Sequence, residues 1–227
     1  AEVLAQLEDN LEPEGLPIAA RLPNGQVTAQ KTDAHRVFVP IALEALSEGI
    51  SEIDCQLLKG NDVMATTTAG IVKATARPNT VVIDNASNSL IADGLPFIPF
   101  GYYTYFPLTE GVIDEEVARG FTLFSPYHGG PHDEQQARQI RDYMDRCAAI
   151  GMKVNYHLMW PRHREMGEEE WDRLREEIEA IRDHPALLSW YIADEPSSGE
   201  LSRLTHVYDF LKDLDPYHPV TIVFCRG

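Results

Sequence analysis

The 227-residue chain is poor in cysteine, in positive charge and in long apolar runs. Its three cysteines, Cys55, Cys147 and Cys225, are too few and too widely spaced for a disulfide framework or a zinc site, so we expect buried free thiols. Lysine and arginine number 19 against 36 acidic residues, and the formal net charge of −17 excludes nucleic acid as an expected partner. No run approaches the ~18 apolar residues that cross a bilayer, so we expect no membrane span.

Several sequence signals for ligands are also missing. No glycine-rich phosphate loop follows the first strand of the C-terminal part. The histidines at 128, 132, 157 and 163 do not form an HExxH or similar spacing, so neither a metal site nor a cofactor is expected. The chain starts at Ala1 without a visible signal peptide, which indicates that a segment was removed or that a longer product exists.

The first part of the chain has the alternation of half-buried strands. Apolar residues occupy every second position in two stretches, Val37-Val39-Ile41-Leu43 and Ile53-Cys55-Leu57. Asn24-Gly25 and the cluster at 59–62 are turn signals. This pattern predicts an antiparallel β-sandwich, Ig-like or jelly-roll-like, over residues 1–88, with a supporting role.

From residue 89 the pattern changes to alternating strands and helices. Such alternation with apolar strands is typical of a parallel sheet covered by helices. The predicted strands are 97–103, 120–125, 152–159, 187–193 and 219–224. The predicted α/β domain therefore spans residues 89–227 and holds about five strands of a TIM (β/α)8 barrel. An open doubly wound sheet is the alternative, and the missing phosphate loop weakens it.

Helix boundaries and faces can also be predicted. Asp133 is placed to cap one long helix, and Ser197 with Glu200 forms a capping box before the last one. We expect the charged run at 168–183 to be a solvated helix face with ion pairs. On the last helix the expected inward residues are Leu201, Leu204, Tyr208 and Leu211.

Candidate site residues lie where the predicted strands end, because a barrel builds its site from the C-terminal ends of its strands. Asp194 and Glu195 end one apolar strand abruptly; a helix-starting acid and an N-cap are the structural alternatives for this pair. The other candidates are Tyr103, His128, His157 and Trp160. Aromatic faces stack on sugar rings, so this composition suits a carbohydrate site, although core packing is the favoured interpretation for each of these four residues taken alone.

The segments HPALLSWYIADEP and LDPYHPV resemble the (β/α)8 catalytic domain of clan A glycoside hydrolases, over roughly residues 85–227. The lead-in VIDNASNSLIADGLPFIPFGYY looks like the junction between a β-sandwich and the first barrel strand. The resemblance implies that Glu195 is the general acid/base and that Asp194, standing where the clan usually has Asn, contacts a sugar hydroxyl. The added negative charge beside Glu195 suits a general acid.

The resemblance also implies a retaining glycosidase with a second carboxylate at the end of strand seven. Only five strands are predicted, so we expect the barrel to be completed by the rest of a longer chain or by other chains. The expected substrate is an oligo- or polysaccharide, and the expected location is extracellular, supported by the sequon at Asn85. Two alternatives stay open: an inactive glycan-binding scaffold, and an open-sheet enzyme that uses the histidines.

Overall fold

The computed structural model describes residues 2–6, 15–32, 35–75, 77–84, 87–105, 108, 111–128, 130–131, 133–163 and 165–224. The chain divides into two compact units, Ala1–Thr75 and Ala76–Gly227. Cys225, His132 and Asn85 of the sequon lie outside the described residues. Within the described helices, none is long and apolar enough to span a membrane.

The first unit consists of antiparallel strands in two sheets. The strand bounds are β1 Glu2–Gln6, β2 Pro17–Arg21, β3 Val27–Lys31, β4 Arg36–Pro40, β5 Gly49–Lys59 and β6 Asp62–Lys73. Four of these strands form a sheet in the order β3-β2-β5-β6, and β1 pairs with β4. A short 3-10 helix at Leu43–Ala45 precedes β5.

One apolar core joins the two sheets of this unit. Ile53 and Cys55 of β5 are buried with Val37 and Val39 of β4 in the same cluster, so the alternating residues of both sheets point inward. The predicted turn at 59–62 connects β5 to β6. The prediction of an N-terminal antiparallel sandwich is confirmed.

A three-stranded antiparallel sheet opens the second unit. Its strands are β7 Val81–Asp84, β8 Ser89–Ala92 and β9 Leu95–Phe97. Val81 and Ala92 are buried against Leu188, and the Val81 N–H donates to the Tyr217 carbonyl oxygen at 3.0 Å. Because this small sheet packs on the α/β unit, the first compact unit ends at Thr75. The predicted domain boundary lies later, at residue 88.

The centre of the second unit is a five-stranded parallel sheet in sequential order, β10-β11-β12-β13-β14. Helices alternate with these strands, and sequential order is the topology of a barrel rather than of a doubly wound sheet. The fold is therefore α/β, a partial TIM barrel. The strands are β10 Gly101–Tyr105, β11 Leu123–Tyr127, β12 Lys153–His157, β13 Leu187–Asp194 and β14 Val220–Val223.

Helices cover this sheet and bury one apolar face each. They are α1 Val112–Ala118, α2 Glu134–Ala149, α3 Glu168–Ile181 and α4 Leu201–Leu214, with 3-10 helices at Trp160–His163 and Ser198–Glu200. Asp133 caps α2 by accepting the Gln136 N–H at 2.8 Å, as predicted.

Two predictions about the helices are wrong. On α4 the buried residues are Leu204, Val207 and Leu211, whereas Leu201 and Tyr208 are 43% and 45% exposed. Leu204 and Leu211 face inward as expected, but spacings of three and four place Val207 rather than Tyr208 between them. On α3 the charged run is not wholly solvated, because Glu177 is buried by its contacts with Tyr156 and Trp160.

Candidate active site

The carboxyl ends of the five parallel strands line one edge of the sheet. Register places Tyr103 beside Ser125, Asn155 beside Ser189, and His157 beside Tyr191. Because successive side chains of a strand alternate between faces, these residues share the face opposite to the one that carries Tyr156 and Trp190. The helix-facing residues belong to the apolar core, so the other face is available for a site.

Four rings on that face form an aromatic cluster, which comprises Tyr103, Tyr127, His157 and Tyr191. His157 is at its centre, with ring centroids 4.8 Å from Tyr191, 5.0 Å from Tyr127 and 5.7 Å from Tyr103. Tyr103 stacks on Tyr191 at 5.5 Å. Tyr103 is 49% exposed, whereas His157 is completely buried. The cluster therefore offers one accessible aromatic face and one buried polar group.

His157 is a neutral imidazole. Burial lowers its pKa to about 3, and the nearby His128 adds to the effect. Its Nε2 is 2.9 Å from the Ser125 hydroxyl. Its Nδ1 is buried and has no hydrogen-bond partner within the described part of the chain.

A polar network adjoins the aromatic cluster toward the start of the strands. The Asn155 amide accepts hydrogen bonds from Ser189 at 2.8 Å and Thr221 at 3.1 Å, and it donates to Ser125 at 3.2 Å. Four consecutive strands, β11 to β14, thus contribute one polar side chain each. Buried polar groups on a sheet face require such mutual satisfaction, and the network ties the strands together on this side.

The two acids stand at the end of β13. Asp194 is the last residue of β13 and is half-buried. Burial raises the pKa of the neighbouring Tyr191, and its contacts with Tyr103 and Asp194 raise it further. Glu195 is exposed and has a φ of +46°, a conformation that costs a non-glycine residue about 1 kcal/mol or more. Its N–H donates to the Val223 carbonyl oxygen at 2.8 Å.

The next helix does not use these acids as its cap. Ser197 and Glu200 form the predicted capping box, in which the Ser197 N–H and hydroxyl both donate to the Glu200 carboxylate at 2.8 Å. Helix starts are stabilised by their own cap residue. The alternative that Asp194 or Glu195 is simply an N-cap therefore loses its support.

The structure does not bring all the predicted site residues together. His128 lies 6.1 Å from His157, yet its ring nitrogens are engaged by the Tyr143 hydroxyl and the Gly130 N–H, both at 3.2 Å. Trp160 is 5% exposed and donates its indole N–H to Glu177 at 2.8 Å. The His128 and Trp160 rings are thus held by hydrogen bonds outside the aromatic cluster, whereas Tyr103 and His157 belong to it.

Sequence reasoning missed two members of that cluster, Tyr127 and Tyr191, and the polar network beside it. The available signal was their period of two: Ser125 and Tyr127, Asn155 and His157, Ser189 and Tyr191. Each strand also carries buried residues on its other face, which hides the alternation.

Within the described residues no group of three or more His, Cys, Asp or Glu is arranged to hold a metal ion. Cys55 and Cys147 are buried free thiols, as expected. Burial raises the pKa of both thiols, that of Cys147 to about 12, so neither is a reactive thiolate.

Comparison with known proteins agrees with this architecture. Residues 132–225 match the family model of the glycosyl hydrolases family 2, TIM barrel domain. The match confirms the resemblance of this segment to clan A glycoside hydrolases. No curated protein matches the chain.

Solved structures align with most of the chain at low identity. A glycosyl hydrolase family 2 member from Bacteroides cellulosilyticus aligns with a TM-score of 0.47 and 15% identity, over 91% of this chain and 31% of that chain. A β-glucuronidase from Ruminococcus gnavus aligns with a TM-score of 0.46 and 13% identity, over 98% and 42%. The present chain thus spans less than half the length of these proteins.

Proposed function

We propose that this chain is part of a glycoside hydrolase in which Glu195 is the general acid/base. The backbone of Glu195 carries the proposal: an exposed acid is held at positive φ, at the end of a barrel strand, by a hydrogen bond to the neighbouring strand. Strained conformations persist where the surrounding structure enforces them, and they concentrate at functional sites. The family match supports the class of reaction.

In the proposed reaction Glu195 protonates the glycosidic oxygen as the leaving group departs, and then takes a proton from the attacking water. Retention of configuration needs a second carboxylate about 5–5.5 Å away as nucleophile. In this proposal that carboxylate comes from a barrel strand that is not among the five strands β10 to β14. Asp194 accepts a hydrogen bond from a sugar hydroxyl.

The proposed substrate is an oligo- or polysaccharide. Support comes from the aromatic cluster, because the half-exposed ring of Tyr103 offers an apolar face on which the C–H bonds of a sugar ring can pack. An extracellular location is part of the same proposal, since large glycans are met outside the cell.

The test uses the complete protein that contains this chain, with Glu195→Gln and the matched control Glu200→Gln. Glu195→Gln should lose turnover of glycosides with poor leaving groups by about 10²–10⁴-fold, the usual worth of general acid–base catalysis. It should keep the first step on an activated aryl glycoside, which needs no protonation. Glu200→Gln should be unaffected, because glutamine still accepts the Ser197 N–H bond.

Equal loss on both substrate types would contradict the assigned role of Glu195. A wild-type protein that binds a glycan without hydrolysing any glycoside would instead support the scaffold alternative.

A further inference from the structure

We propose that Asn155 is a positioning residue for His157: acting through Ser125, it holds the neutral imidazole as the Nδ1–H tautomer and so presents a hydrogen-bond donor within the aromatic cluster. The tautomer is a property of the free protein. Its use toward a sugar hydroxyl rests on the proposed function.

The first step is the orientation of the Asn155 amide. Its oxygen faces two hydroxyl groups, those of Ser189 at 2.8 Å and Thr221 at 3.1 Å, and its nitrogen faces Ser125 at 3.2 Å. The 2.8 Å distance to Ser189 is typical of an O–H···O hydrogen bond, and the 3.2 Å distance to Ser125 is typical of an N–H···O hydrogen bond. The distances therefore agree with an acceptor toward Ser189 and a donor toward Ser125.

The reversed amide would leave a proton unpaired. Thr221 could then donate to the Trp190 carbonyl oxygen at 3.2 Å. Ser189, which is 2% exposed, would have no acceptor for its proton among its contacts in the described residues. A buried group without a hydrogen-bond partner is unfavourable, and this selects the orientation described above.

The second step is the direction of the Ser125 hydroxyl. Its oxygen accepts the Asn155 N–H, and its proton is left for the Nε2 of His157 at 2.9 Å. A neutral imidazole that accepts at Nε2 carries its proton on Nδ1. Burial keeps the ring neutral by lowering its pKa to about 3. The order of donors from Ser189 through Asn155 and Ser125 thus fixes the tautomer.

The third step is what the donor is for. Nδ1 of His157 is buried without a hydrogen-bond partner in the described part of the chain, and such groups in a folded protein call for an explanation. The surrounding rings belong to tyrosines, of which Tyr103 is half exposed and Tyr191 is buried. A sugar hydroxyl that displaces the half-exposed Tyr103 ring from the cluster would reach Nδ1 and supply the missing acceptor.

The tautomer can be read directly by long-range ¹H–¹⁵N correlation of the histidine rings in the complete protein that contains this chain, ¹⁵N-labelled at histidine. The two tautomers give different cross-peak patterns, and His157→Gln assigns the His157 signals by removing them. The expected wild-type result is a protonated Nδ1 and an unprotonated Nε2. A protonated Nε2 in the wild type would overturn the proposal without recourse to any variant.

Asn155→Asp tests the positioning role. Ionised aspartate can only accept, so at a pH where the new carboxyl is ionised Ser125 must donate to it and accept from His157, and the ring should switch to the Nε2–H tautomer. Ser189→Ala is the matched control, because Thr221 still holds the amide oxygen and the Nδ1–H tautomer should persist. An Asn155→Asp protein that folds with the wild-type tautomer contradicts the role of Asn155.

This readout is independent of turnover. If His157 has the Nδ1–H tautomer and Asn155→Asp switches it, but the complete protein cleaves no glycoside, the proposed function fails and the positioning role stands. If the complete protein is an active glycosidase and His157 carries its proton on Nε2, the positioning role fails alone.

Discussion

Glu195 and Val223 are joined through their backbones: the Glu195 N–H donates to the Val223 carbonyl oxygen at 2.8 Å while Glu195 holds a φ of +46°. The bond links the end of β13 to the end of β14. It therefore fixes where the Glu195 side chain starts, at the edge where a barrel places its chemistry. The same bond helps to maintain a conformation that the residue would otherwise avoid.

The positive φ predicts a difference between two variants that both lack the carboxylate. Glu195→Gly should be more stable than Glu195→Ala by about 1 kcal/mol, because only glycine adopts the left-handed region without a steric cost. Urea unfolding of the two proteins measures this difference. Both should lack acid-catalysed turnover in the complete protein. Equal stability of the two variants would mean that the backbone strain is absent.

His157 predicts acid sensitivity of the fold. Its pKa is about 3 in the folded protein against 6.5 as the ordinary value, so the unfolded chain takes up a proton at a higher pH than the folded one. The stabilisation is complete above pH 6.5 and is lost as the pH falls toward 3, by up to about 1.4 kcal/mol per pH unit.

Unfolding free energies measured between pH 7 and pH 4 check this prediction. His157→Gln is the comparison, since glutamine keeps a polar group but does not titrate. The wild type should lose more stability than His157→Gln over this range, and parallel curves would show that His157 does not titrate differently on folding.

The contribution of Glu177 to stability should depend on pH in the opposite direction to that of His157. Burial raises its pKa, although the bonds from Trp160 and Tyr156 and the charge of Arg173 oppose that rise. A carboxyl with a raised folded pKa contributes stability below its ordinary value of 4.5, and this contribution is lost as the pH rises through the folded pKa. Glu177→Gln lacks this term, so its stability relative to the wild type should improve from pH 4 to pH 7.

Truncation of Glu177 tests its hydrogen bonds separately. Glu177→Ala leaves the Trp160 N–H and the Tyr156 hydroxyl buried without an acceptor and should cost about 2 kcal/mol or more. Glutamine can accept from Trp160 and donate to Tyr156, so Glu177→Gln should cost less. Glu176→Ala, an exposed neighbour on α3, should change stability by less than about 0.5 kcal/mol.

The fold could be predicted from sequence where a local signal exists. Alternation in β5, the Asp133 cap and the Ser197–Glu200 capping box each act within a few residues, and all three are present in the structure. The location of the acids at a strand end followed from the same kind of signal, because the apolar run of β13 stops at Asp194.

The composition of the site could not be predicted without knowing the register between the strands. Ser125, Asn155 and Ser189 meet only because β11, β12 and β13 pair side by side, and no local pattern states that pairing. Glu177 looked solvated for the same reason: its partners Tyr156 and Trp160 belong to another element. The sequence places Trp160 near a strand end as a candidate sugar platform, and only the structure shows that its indole N–H donates to Glu177.

The buried carboxylate of Asp215 predicts a large stability effect away from the candidate site. It accepts hydrogen bonds from the Trp190 indole and the His218 ring, both at 2.7 Å, and from the Tyr217 N–H at 3.0 Å. These bonds hold the pKa of Asp215 below its usual value although burial opposes them. Three donors thus converge on one acid, two from the loop that precedes β14 and one from β13.

Asp215→Asn keeps the shape but offers one acceptor oxygen and an amide nitrogen that faces donors. At least one buried donor is then left unpaired, so the variant should lose about 2–3 kcal/mol at pH 7. Asp213→Asn, an exposed neighbour on α4, is the control and should stay within about 0.5 kcal/mol of the wild type.

Because the folded pKa is lowered, the contribution of Asp215 is present above its ordinary pKa of 3.8 and is lost as the pH falls through the folded value. The two variants should therefore differ strongly at pH 7 and converge in strong acid, and a gap that does not change with pH would mean that shape, not charge, makes Asp215 necessary.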